Sequence, residues 1–160
     1  MRRVADVGRF VLLCALVLAS ASARADDDKA AAETLFQEGK RLVAQERYAE
    51  ACSKFSASFQ AEPSIGAMLN LARCHERSGQ TASAWAEYVE AASLARRAGE
   101  TKTAEAASAY ASALEAKLIR LTIRVPERLP GMRVLRNGAV VPDASLGVAI
   151  PVDPGSNGSS

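Results

Sequence analysis

Apolar positions recur at spacings of three and four over most of the chain and at spacings of two near its C-terminal end. Leu35, Gly39 and Leu42 share one stripe, which predicts a helix over 31–45. Ala51, Phe55 and Phe59 predict a second over 48–61, ended by Glu62-Pro63 because the residue before proline disfavours helix. Ser64 is an N-cap for a third helix that turns Met68, Leu71, Ala72 and His75 inward and ends near Ser78-Gly79. Thr81 starts a fourth, with Ala84, Tyr88 and Ala91 inward and Gly99 as its stop. A fifth, over 101–117, places Ala107, Tyr110 and Leu114 on one face.

The period then changes. Leu121, Ile123 and Val125 alternate with Arg120, Thr122 and Arg124, as in a half-buried strand. Arg133 to Arg136 and Ala139 to Val141 flank Asn137-Gly138, a strong hairpin signal. Val148 to Val152 predicts a further short strand interrupted by Pro151. Asp153-Pro154-Gly155 is a turn before a disordered tail at 156–160.

The helical part repeats itself at an offset of 33 residues. Gly39, Tyr48, Ala51 and Phe55 align with Ala72, Thr81, Ala84 and Tyr88, and Glu46 aligns with Gly79 at the turn. Such a period, with small residues at fixed places, predicts antiparallel helix pairs stacked as a solenoid, with the fifth helix as its cap. A stack of this kind builds a groove and brings no chemistry of its own, so a binding module is expected before an enzyme.

On Leu35, Gly39, Tyr48, Ala51, Phe55 and Pro63, and on Met68, Ala72, Gly79, Ala84, Tyr88 and Ala91, residues 31–98 resemble tetratricopeptide repeats. The match departs at His75, where an aromatic is usual, and lacks a closing proline after the second copy. The strand after the last helix, Arg136-Asn137-Gly138 and Val152-Asp153-Pro154-Gly155 resemble a small PEGA-type β-sandwich module, here incomplete over 120–155. The combination is similar to envelope proteins of large-genome bacteria such as myxobacteria. The fold class expected is therefore mainly α, a two-repeat solenoid with a capping helix and a partial β-sandwich-like segment.

The repeat resemblance implies a concave face made by the first helix of each pair. It would present Glu33, Phe36, Lys40 and Val43, then Leu69, Asn70, Arg73 and Arg77. In peptide-binding members an asparagine where Asn70 sits bonds a partner's backbone or terminal carboxylate. Lys40, Arg73 and Arg77 add positive charge, which suits an acidic or carboxylate-bearing peptide. Phe36 and Leu69 would be apolar contacts. The function implied is a protein–protein interaction scaffold. The alternative is a structural protein docking to an envelope surface, or to another β edge, through the β module.

Composition changes the picture at the N-terminus. Arg2, Arg3 and Arg9, the apolar run 10–19 and Ala23-Arg24-Ala25 before Asp26-Asp27-Asp28 read as a secretory signal peptide over 1–25. Residues 26–30 would be an acidic leader. The place expected is the periplasm or cell envelope of a Gram-negative bacterium. Removing residues 1–25 takes four of the 20 basic and one of the 18 acidic residues, leaving a net charge of −1. That balance points to neither nucleic acid nor an anionic membrane as partner, and no membrane span is expected after cleavage. It would also leave two cysteines, Cys52 and Cys74, on neighbouring helices. They fit an exported disulfide or two small buried thiols.

Chemistry-bearing motifs are sparse. His75, the one histidine, adjoins Cys74 and Glu76, but on a helix both face other directions, so it reads as a core residue. Cys52, Cys74 and His75 match no usual zinc spacing. Trp85 reads as helix packing before partner anchor. Neither a phosphate loop nor a nucleophile elbow is present, and no catalytic residue, metal or cofactor is implied.

Overall fold

The computed structural model describes residues 26–127, 129 and 131–155. The expected signal peptide and tail lie outside these residues. The chain is mainly helical. Helix α1 (residues 26–44) leads to α2 (Tyr48–Ala61), α3 (Ile65–Arg77), α4 (Thr81–Arg97) and α5 (Thr101–Glu115). Residues 26–30, expected as a leader, are already helical. Among the described residues no helix is long and apolar enough to cross a membrane.

Three of the four helix connections share one device. Arg47, Gln80 and Glu100 donate their N–H groups back to the carbonyls of Leu42, His75 and Ala95, at 3.0, 2.8 and 2.9 Å. The residues before them, Glu46, Gly79 and Gly99, have φ of 59°, 78° and 76° and bond Val43, Glu76 and Arg96. These are Schellman ends, which need a left-handed residue. Glu46 holds in the first copy the conformation that glycine holds in the second. The α2–α3 link differs. It is extended, and the Ser64 side chain accepts from Ala67 N–H at 3.1 Å.

Close approach sets the packing. A Cβ built on Gly39 would come within 2.7 Å of the Phe55 ring, so only glycine lets α2 lie this near to α1. Their antiparallel register shows in Ser58 Oγ donating to Ala32 O at 2.8 Å and in the Lys54–Glu38 ion pair. Ala51, Cys52 and Phe55 pack with Leu42, Leu71 and Cys74. Ala72, Ala84 and Tyr88 pack with Ala111 and Leu114, and Met68 with Ala91, Ala92 and Ala107. Alanine supplies three of the five residues of the second cluster and three of the four of the third, so neighbouring backbones sit close there.

Cys52 and Cys74 form a disulfide between α2 and α3, with Cα atoms 5.5 Å apart. Two expected core positions differ. His75 is half-buried, held by a carboxylate partner. Tyr110 points outward, because the inward stripe of α5 runs through Ala104, Ala107, Ala111 and Leu114.

The β segment holds β1 (Ile119–Thr122), β2 (Leu135–Arg136), β3 (Ala139–Val140) and β4 (Ala149–Val152). A 3-10 turn over Asp143–Ser145 precedes β4. β1 pairs antiparallel with β4, and β2 with β3, as two separate two-stranded pairs and not as one sheet. Asn137 and Gly138 have φ of 50° and 78°, as the hairpin signal requires. The strands are shorter than the expected 133–136 and 139–141. Pro151 lies inside β4 opposite Arg120, and did not interrupt it. A proline is tolerated there because β4 is paired on one side only.

Candidate functional site

A groove of about 830 Å³ runs across one side of the helices. The end of α1 gives it Val43 and Ala44, and Glu46 follows. Tyr48 opens α2 there. Asn70, Arg73, Cys74, Glu76 and Arg77 line it from α3, Tyr88 from α4 and Tyr110 from α5. All three tyrosines of the chain meet in it. Helical periodicity explains the α3 contribution, since positions 70, 73, 74 and 77 form one stripe.

The tyrosines are organised. Tyr88 is fully buried, and its ring stacks on Tyr110 at 5.2 Å between centroids with a 23° tilt. Tyr110 is 44% exposed and presents aromatic surface to solvent. The Arg73 guanidinium lies 5.8 Å from the Tyr110 ring centre, within cation–π range. Tyr88 Oη donates to Glu76 Oε2 at 2.9 Å. Burial first, and then the Glu76 carboxylate, push the Tyr88 phenol far above its ordinary value of 10.0, so it remains a donor.

Of the residues expected to bind a partner, Asn70, Arg73 and Arg77 line the groove together. Phe36, Lys40 and Leu69 do not. Phe36 packs edge-on against Phe55 at 5.6 Å, and Lys40 lies over the Phe36 ring at 5.8 Å. Leu69 is half-buried between two core clusters. Phe36 and Leu69 are thus half-buried against the core clusters, and the aromatic lining of the groove comes from the tyrosines. Asn70 Nδ2 donates to Gly66 O at 2.8 Å, an exchangeable bond within its own helix. Arg77 is exposed and makes no ion pair with a described residue.

His75 sits off this groove. Its Nδ1 is 2.8 Å from both Glu87 oxygens, so α4 supplies a carboxylate partner, while the adjoining Glu76 bonds Tyr88 instead. Among the described residues its ring bonds no hydroxyl or thiol. The disulfide removes Cys52 and Cys74 as thiolate ligands, and no group of three metal-ligating side chains occurs among the described residues.

A contact that sequence spacing concealed joins the β segment to the helices. Asp153 accepts from Ala82 N–H at 2.7 Å, from Ser83 N–H at 3.2 and 3.3 Å, and from Ser83 Oγ at 2.5 Å. It caps α4 from 70 residues away, where Gln80 provides no side-chain cap. Beside it lies a cleft of about 370 Å³ lined by Trp85, Ala86, Arg136, Pro151 and Val152. Trp85 therefore belongs to the junction of helices and β segment. Compared with protein-family models, curated proteins and solved structures, the chain matches none.

Proposed function

We propose that the chain is an exported two-repeat solenoid of the tetratricopeptide type that binds a peptide or partner helix in its groove. It acts by holding a partner, without turnover of its own, in the periplasm or cell envelope. The observation that carries this reading is the meeting of Tyr48, Tyr88 and Tyr110 with Asn70, Arg73 and Arg77 in one groove. Aromatic surface beside guanidinium groups fits a segment with an apolar anchor next to an acidic side chain or terminal carboxylate. The Asn70 amide can exchange its helical carbonyl for a partner's backbone. The 33-residue repeat, the Gly39–Phe55 approach and the shared Schellman ends support the repeat assignment. The disulfide supports an oxidising compartment.

Affinity capture from an envelope extract tests the reading, with the full chain as one bait and its Asn70→Ala/Arg73→Glu variant as the other. A partner held by the first and lost by the second is the expected result. The same partners on both baits would remove the groove from the account. Turnover of any substrate that His75→Ala abolishes would replace binding with catalysis.

A further inference from the structure

The turn between α1 and α2 carries a side chain that its backbone does not favour. Glu46 has φ of 59°, in the left-handed region where an ordinary side chain is strained. The two other connections closed in the same way put glycine there, Gly79 and Gly99, with φ of 78° and 76°. A Cβ on either glycine would meet nothing within 4 Å. Backbone conformation, and not space, therefore selects glycine at those turns, and it would favour glycine or asparagine at position 46 as well. Residues held in such sparsely populated conformations cluster where a side chain serves a function.

The turn itself makes no use of the Glu46 carboxylate. Arg47, the nearest cation in sequence, donates from Nε to Glu50 Oε1 at 2.7 Å and from Nη1 to Gln45 Oε1 at 3.2 Å. Glu46 is exposed and its side chain forms no ion pair or hydrogen bond with a described residue. It lines the groove instead, together with Tyr48. Glu76, the other groove carboxylate, differs, because it already accepts from Tyr88 Oη at 2.9 Å.

The groove thus offers charges of both signs on different walls. The α1–α2 turn brings an unpaired carboxylate. Helix α3 brings Arg77, which has no ion pair with a described residue, and Arg73, which lies by the Tyr110 ring. A purely acidic segment would meet Glu46 as a like charge, whereas a segment with a suitably placed cation would turn that repulsion into an ion pair. We propose that Glu46 is a specificity-determining residue of the groove. The segment it selects carries a basic side chain for Glu46 as well as an acidic group for Arg73 and Arg77. This inference rests on the reading of the groove as a binding site and narrows its ligand from an acidic segment to one of mixed charge.

A library of synthetic peptides tests it on the full chain. Each peptide is acetylated at its N-terminus, so that only side chains bring a cation, and keeps a free C-terminal carboxylate. Wild type should retain peptides that join Lys or Arg to an acidic group. Glu46→Asn suits the left-handed turn. It should lose the preference for Lys and Arg, keep the acidic preference, and bind the selected peptides about two- to fivefold more weakly, the worth of an exposed ion pair. That loss should shrink with added salt. Glu105→Gln, an equal charge change at an exposed position of α5, should alter nothing. A melting temperature of Glu46→Asn at or above that of wild type would separate the weaker binding from unfolding. Retained peptides without Lys or Arg, or the same selection by Glu46→Asn, overturn the proposal and leave the groove reading in place. Selection unaltered by Asn70→Ala/Arg73→Glu, or no peptide retained by wild type, removes the groove reading and the proposal with it.

Discussion

The helices and the β segment are built on opposite principles. From α1 to α5, alanine and glycine let backbones approach, and side chains such as Phe55 and Tyr88 fill what remains, with zero exposure. Among the described residues of 119–155 only Val141 and Val152 are buried, and six large apolar side chains are exposed. Van der Waals closeness holds the first region, while the second meets it where Asp153 caps the start of α4 and Val152 is buried. A groove that must keep three tyrosines and two arginines in register belongs on the first kind of structure.

The largest effect should come from the helical side. Phe55→Ala removes the ring that fills the space above Gly39 and should cost about 3–5 kcal/mol in urea unfolding. A loss below about 1 kcal/mol would mean that the cavity collapses and the seam is not closely packed. Next, Cys52→Ala/Cys74→Ala opens a link spanning 22 residues. Its removal should cost about 3 kcal/mol, reproduced by reductant on the wild type and absent when reductant is added to the variant.

Asp153→Ala probes the boundary between the regions. It should cost about 1 kcal/mol, in the range of a lost cap. Amide exchange should quicken at Ala82, Ser83 and over 119–152, while α1 and α2 keep their protection. Uniform quickening throughout would show the two regions to be one cooperative unit. The smallest effect concerns Tyr88. Its phenol is raised in the folded state, so the stability it contributes is complete below the unfolded value near 10.0 and declines as pH rises above it. Tyr88→Phe should flatten the alkaline decline of the melting temperature. An identical slope in both proteins would detach Tyr88 from that decline.

The helices were legible because each rests on local signals, among them the stripe of Ala51 and Phe55, the Ser64 cap and the Gly79 and Gly99 stops. The hairpin was legible for the same reason, through Asn137-Gly138. Half of the groove followed from one α3 stripe, Asn70, Arg73 and Arg77. The aromatic half did not, because Tyr110 shares a helix face with Ala107 and Leu114 only approximately, and rotation of α5 onto the Ala104–Ala111 stripe turns it outward. His75 with Glu87, and Asp153 with Ser83, were hidden because each joins different elements. The one available clue to the latter was Gln80, a weak cap at the start of a long helix.

The central claim is that partner binding resides in the groove and not in the β segment. Hydrogen exchange of the full chain, free and bound to its captured partner, tests it most directly. Slowed exchange over 43–48, 70–77 and around Tyr110, with 129–141 unchanged, is the result expected. Slowed exchange over 129–141 with the groove unaltered would contradict it.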